Sequence, residues 1–210
     1  YITFSLRDFS FNSSILSSIL KLGLPASFSM VIMSFGSAIF NRILVYYSAD
    51  AVSAYQIGSR IDHVFFMPII SIVSSLVTLV GMFYGAKRMN LLKTTIHYGL
   101  QQVLLMSVGI GFVFYIFAES IFPIFTDSQA IIDYGVQYLK IIVLAYPFIA
   151  IGMTSSRVMQ GLGFGSPMLF LTLTRVILVS VPLALYFTFI AGVSVKYVWI
   201  AMLTSSMVAA

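Results

Sequence analysis

Blocks of apolar residues near twenty long, broken by short polar stretches, recur six times along the chain. That is the length a helix needs to cross the ~30 Å hydrocarbon layer of a bilayer. The first block, residues 24–47, opens with Gly23 and Pro25, where a helix tolerates proline because its first amides have no partner. Ser48, Ala49 and Asp50 break the pattern. The second block, residues 60–84, contains Pro68 and is expected to stop with Gly85 as its left-handed terminal residue. The third, residues 96–118, carries Gly99, Gly109 and Gly111, which let neighbouring helices approach, and ends at Glu119 and Pro123. The fourth, residues 136–156, holds the Tyr146-Pro147 pair near its middle, where Pro147 should kink the helix. Glycine and proline make residues 160–167 a turn. The fifth, residues 168–190, contains Arg175 and Pro182, and the sixth runs from residue 195 to the last residue, short for a relaxed crossing. Pro68, Pro147 and Pro182 are the three candidate hinges.

The pattern predicts an all-α, polytopic membrane protein. Residues 1–22, with Arg7, Asp8, Asn12 and several serines, read as a polar connector, and residues 23–210 as one transmembrane lobe. The connector lacks the basic start, short apolar core and small-residue cleavage site of a signal peptide. The missing initial methionine and the short sixth block predict a piece of a longer protein whose last helix is cut short.

Composition removes the alternatives. Apolar residues make up 60% and charged residues 8% of the chain, against the usual ~25% charged for a soluble domain. Mean hydropathy is +1.05. Without cysteine there is neither a disulfide framework nor a thiolate metal site, and no cofactor or metal is expected. The net charge of +5 is scattered rather than interleaved with aromatics, which argues against a nucleic-acid partner. Its placement instead orients the helices. One side collects Arg7, Lys21, Lys87, Arg88, Lys93 and Arg157 with only Asp8 as an acid, and the other collects Asp50, Arg60, Asp62, Glu119, Asp127, Asp133, Lys140 and Lys196. The positive-inside tendency puts the N-terminal connector in the cytoplasm, with the chain crossing the cell membrane several times.

Polar residues within apolar blocks are the candidates for chemistry, since each is costly in lipid. Arg175, about 10 Å into the fifth block at ~1.5 Å per residue, either snorkels to the surface or lines a cavity. Asn41 holds helices together or contacts a substrate, and its neighbour Arg42 points to a different face. Asp62 opens the second block, where the positive end of the helix dipole would stabilise its carboxylate. Alternatively, with His63 beside it, it is an ion-coupling site. Gln101 and Gln102, near His97, bond across helices or line a cavity. Tyr146 sits at a mid-membrane proline, where a freed carbonyl can coordinate a cation or act as a hinge. An intramembrane enzyme would need a nucleophile and base, or a metal set, facing one cavity. Two histidines on different blocks and no H-E-x-x-H or G-x-S-x-G make the chain no enzyme by this reading.

Four segments together resemble the multidrug and toxic compound extrusion (MATE) transporters. "ILKLGLPASFSMVIMSF" looks like the start of that family's seventh helix, and "AVSAYQIGSRIDHVFFMPIISIVSSLVTLVGMFYGAKR" like the junction of its seventh and eighth. "MQGLGFGSPM" and "LTRVILVSVPLAL" are similar to a later turn and the eleventh helix. The resemblance implies a six-helix lobe of a twelve-helix transporter that alternates between inward- and outward-open states. It also implies export of cationic or amphipathic drugs in exchange for protons or sodium ions. The implied partners are small-molecule substrates, those ions, the lipid bilayer and a preceding N-terminal lobe. A lipid-linked oligosaccharide flippase of the same superfamily is the alternative, kept open by Arg42 and Arg175. The chain departs from the family in having Gly81-Met82 where Gly-Gln is usual. It also lacks the acids that one branch carries in its seventh and tenth helices. The coupling acid is then expected in the preceding half, as in another branch.

The orientation is testable because the chain has no cysteine of its own. A cysteine placed at Asn90 should resist impermeant thiol reagents in intact cells while one at Ser128 is labelled, and the reverse pattern would invert the topology.

Overall fold

A computed structural model describes residues 12–210; Arg7 and Asp8, used above to orient the chain, lie outside the described residues. Every regular element among the described residues is helical: α1 (Ser13–Tyr47), α2 (Ala49–Gly85), α3 (Met89–Ile121), α4 (Gln129–Ile142), α5 (Tyr146–Gly161), α6 (Ser166–Thr172), α7 (Val181–Leu185) and α8 (Lys196–Val208). Five continuous stretches are long and apolar enough to cross a membrane: Ser13–Tyr47, Ala49–Gly85, Met89–Ile124, Gln129–Gly161 and Ser166–Ile190. The sixth expected span appears as the 13-residue α8, packed into the core through Val198, Trp199 and Ala201.

Several boundaries differ from those expected. Residues 13–22 belong to α1, which starts at Asn12, whose side chain accepts the amides of Ser14 and Ile15. The break at Ser48 is one residue long. Its amide bonds the Leu44 carbonyl to close α1, and its hydroxyl accepts the Ala51 amide to open α2. Helix α2 therefore begins eleven residues earlier than the apolar pattern suggested, because a cap and tertiary packing outweigh the polar residues of its first turns. Its far end is closed by Lys87 at φ 56°, not by Gly85. The Lys87 amide reaches the Tyr84 carbonyl and the Arg88 amide reaches Phe83, a Schellman closure. Gly163, at φ 96°, closes α5 in the same way through Gln160 and Met159.

The prolines act differently. Pro68 lies inside an unbroken α2. Pro147 has no amide to give the Val143 carbonyl, so the Tyr146 amide takes it and Val143–Ala145 tightens into a 3-10 turn between α4 and α5. Pro182 is flanked by π-helical turns at Leu173–Ser180 and Tyr186–Ile190, local widenings that re-satisfy carbonyls a proline would leave unpaired in lipid.

Helix α2 is the spine. Ala51, Ala54, Gly58, Ile61, Phe65, Ile69, Val73, Leu76 and Val80, three or four residues apart, form one buried stripe. Helices α3, α4 and α5 pack around it, and Phe65, Val103, Phe122, Leu139, Tyr146 and Trp199 fill the space between. Glycines set the closest approaches. A side chain at Gly135 of α4 would collide with the buried ring of Phe122, whereas one at Gly109 of α3 would meet nothing within 4 Å. Gly135→Ala should therefore cost about 1–3 kcal/mol through overpacking. Gly109→Ala should instead stabilise by about 0.5–1 kcal/mol through helix propensity. Thermal unfolding in detergent separates the two.

Candidate functional site

Asp62 is not in the first turn of α2, as the sequence suggested. It lies thirteen residues beyond the start of the helix, too far for the dipole at that end to act on it. Its partners come from the broken helix. Tyr146, which opens α5, donates its hydroxyl to Asp62 Oδ1 at 2.7 Å, and Tyr138 of α4 donates to Oδ2 at 2.5 Å. These are the lengths of O–H groups bonded to a carboxylate. Both oxygens are engaged, each by a different half of the broken helix.

Local sequence builds this geometry. Gly58, one turn before Asp62, leaves room for the Tyr138 ring, which a methyl group at Gly58 would strike. Phe65 lies parallel to the Tyr146 ring with centroids 3.8 Å apart, and Phe114 of α3 meets it edge-on. Trp199 of α8 packs edge-on against Tyr138 at 5.0 Å, and Tyr55 lies across both. Among the described residues, Trp199 Nε1 is the one buried side-chain polar atom without a partner.

The other candidates lie apart from this cluster. Asn41 of α1 accepts the Gln56 amide of α2 at 2.8 Å, joining the two helices. Gln101 bonds His97 one turn away at 3.0 Å, and the half-buried Gln102 follows it. Arg175 sits half-buried in the π-helical stretch, and among the described residues no carboxylate lies within ion-pair range of it. The structure thus brings together Asp62 and Tyr146 but none of the remaining candidates. Sequence reading missed Tyr138, whose spacing of eight residues from Tyr146, about two turns, was the available signal.

A second feature was also missed. Gln56, Arg60, His63, Met67, Ser71, Ser74 and Thr78 recur every three or four residues and are all exposed, a mostly polar stripe opposite the buried one. The exposed face of α3 at comparable depth is Leu105, Val108, Phe112 and Ile116. Arg60 lies seven residues, about 10 Å along the axis, from Met67 at the middle of the 37-residue α2. A guanidinium exposed on a membrane-spanning helix requires water or protein in front of it wherever it falls within the hydrocarbon. A separate open groove around the Lys140–Glu119 ion pair (2.7 Å) is lined by Tyr115, Gln129, Asp133 and Lys196.

Comparison with known proteins agrees with the helical layout. The MatE family model matches residues 25–186. The chain is 28% identical over 185 residues to a probable multidrug resistance protein NorM of Thermotoga maritima, covering 88% of this chain and 40% of that one. It is 26% identical over 159 residues to the multidrug export protein MepA of Staphylococcus aureus, covering 73% and 34%. A Pyrococcus furiosus transporter of the MOP superfamily superposes with a TM-score of 0.92 at 26% identity, over 100% of this chain and 47% of that one. It is described as having a binding pocket of reverse polarity that suggests a different function. A multidrug resistance MATE family transporter in an outward-facing conformation superposes at 0.91 with 27% identity, over 98% and 46%. The chain thus spans less than half the length of the proteins it resembles.

If both hydroxyls hold the Asp62 charge, losing one should cost about 1.5–3 kcal/mol. Tyr138→Phe should lower unfolding stability by that amount in wild type but by much less in an Asp62→Leu background, and equal losses in the two backgrounds would show that the bond contributes nothing.

Proposed function

The chain belongs to the MatE family, a family of multi-pass membrane transporters, and from that premise we propose that it is one lobe of a secondary transporter in the cell membrane. The transporter exports amphipathic or cationic organic compounds in exchange for protons or sodium ions, in keeping with a probable multidrug resistance protein and a multidrug export protein among its relatives. Its partners are the substrate, the driving ion, the bilayer and a second lobe facing this one, with Lys87, Arg88 and Lys93 on the cytoplasmic side.

The observation that carries this reading is the polar stripe of α2. Its residues are exposed on the lobe and it is too polar to face lipid along its length, so it is the wall of a passage closed by the other lobe. The Asn41–Gln56 bond extends that wall onto α1. Exposed Phe28, Met30, Met33 and Phe35 on α1 and Met67 on α2 supply deformable apolar surface suited to varied substrates.

A second reading, a flippase for lipids with anionic heads, draws on one particular of the same stripe. It carries Arg60 and His63 and no carboxylate.

Single cysteines test the passage in the full-length transporter. Cysteines at Ser74 and Thr78 should react with water-soluble thiol reagents and be protected by transported compounds, while cysteines at Leu105 and Phe112 should react only with lipid-soluble reagents. Equal behaviour of the two sets would remove the passage from this face. Protection by anionic amphiphiles and not by organic cations would select the flippase.

A further inference from the structure

Tyr138 and Tyr146 stand on either side of the Val143–Ala145 turn, and the single group they share is Asp62 on the neighbouring spine helix. A carboxylate with two free oxygens satisfies both hydroxyls. A protonated carboxyl does not, because one of its oxygens becomes a donor and keeps only a weak acceptor site. We propose that Asp62 is a proton-binding site of this lobe, and that its charge straps the two halves of the broken helix to α2 so that protonation loosens the strap at the Pro147 turn. The proposal rests on reading the protein as a cation-driven transporter and names the driving ion and one of its sites.

On α2 itself the titratable or charged neighbours of Asp62 are Arg60 and His63, both exposed on the polar stripe, and Tyr55, packed on Tyr138. From α4 and α5 come the two tyrosines; Lys140, further along α4, is held by Glu119. From α3 Phe114 meets Tyr146 and from α8 Trp199 meets Tyr138; neither Phe114 nor Trp199 titrates. Among the described residues no cation pairs with Asp62, and its side-chain hydrogen bonds come from the two tyrosines. The charge therefore depends on the two hydroxyl donors, which is what makes the strap sensitive to a proton.

The donor set selects a proton over sodium. A metal ion would require both hydroxyls to turn their hydrogens away and would need further oxygens, whereas Phe65, Phe114 and Trp199, packed on the two tyrosines, offer none. The proton comes from the aqueous side and settles on one Asp62 oxygen. The tyrosine displaced from that oxygen rotates, and the α4–α5 turn gains the freedom that the bond had removed.

The chain's single tryptophan abuts the cluster and can report on it. In the full-length transporter in nanodiscs, labelled with 5-fluorotryptophan, the 19F resonance assigned by its loss in Trp199→Phe should move with pH in one titration. Asp62→Asn should flatten that titration, His63→Gln should retain it, and Tyr138→Phe and Tyr146→Phe should each displace its midpoint. If Asp62→Asn fails to accumulate, the two tyrosine variants decide the matter through their midpoints. A wild-type resonance that ignores pH, a titration that survives Asp62→Asn, midpoints indifferent to both tyrosines, or a resonance that follows sodium at constant pH would each overturn the proposal. Efflux of ethidium from proteoliposomes under a pH gradient separates this from the functional reading. Export unchanged in Asp62→Asn defeats the proton site and leaves the transporter standing, whereas an intact titration in a protein that exports nothing does the reverse.

Discussion

A carboxylate in hydrocarbon has to be satisfied by its own protein, and Asp62 meets that demand by drawing two tyrosines from a neighbouring helix onto the spine of the lobe. Much of the surrounding structure follows from it. Gly58 has to be small so that Tyr138 can reach, Phe65 has to be flat against Tyr146, and Trp199 has to close the far side. The aromatic packing keeps water from the bonds, and a bond to a charge gains strength where water is excluded. Remove the acid and the same rings would have two buried hydroxyls to satisfy instead of one buried charge.

The spine helix does two jobs on opposite faces. Its buried stripe is small or aliphatic apart from Phe65, allowing three helices to pack closely, while its exposed stripe is mostly polar where α3 presents leucine, valine, phenylalanine and isoleucine. An environment that differs between neighbouring helices at one depth cannot be lipid on both sides. The irregular backbone obeys the same rule. Each departure from α-helix sits at a proline and keeps carbonyls bonded, by tightening at Val143–Ala145 and by widening on both sides of Pro182.

The helical class and the number of long spans were legible because hydrocarbon thickness imposes a block length that composition displays directly. The start of α2 was not, since Asp50, Gln56, Arg60 and Asp62 look like an aqueous margin when the continuous helix that carries them is unseen. Asp62 was visible as a lone acid, yet its partners were not, because a distance of 76 residues to Tyr138 and 84 to Tyr146 leaves no trace in local pattern. The polar stripe was readable in principle from its period, had the helix been extended far enough toward the N-terminus to reveal it. Lys87 shows the limit of residue preference. Glycine favours the left-handed turn, yet here lysine occupies it while Gly85 remains in the helix.

Ser48 caps the end of one long helix and the start of the next, its amide spent on α1 and its hydroxyl on α2. A joint of one residue has no slack. Although the window of α1 that is apolar enough to cross a membrane is only 6% buried within the lobe, the helix is seated where Gly36 meets Val176 and where Leu22 meets Gly165, and any rotation about its axis has to be passed to α2 as torque rather than absorbed by a loop. The Asn41–Gln56 bond, a short way from the joint, turns that hinge into a crank. A push on α1 would thereby arrive at the spine, and with it at the carboxylate about two turns beyond Gln56.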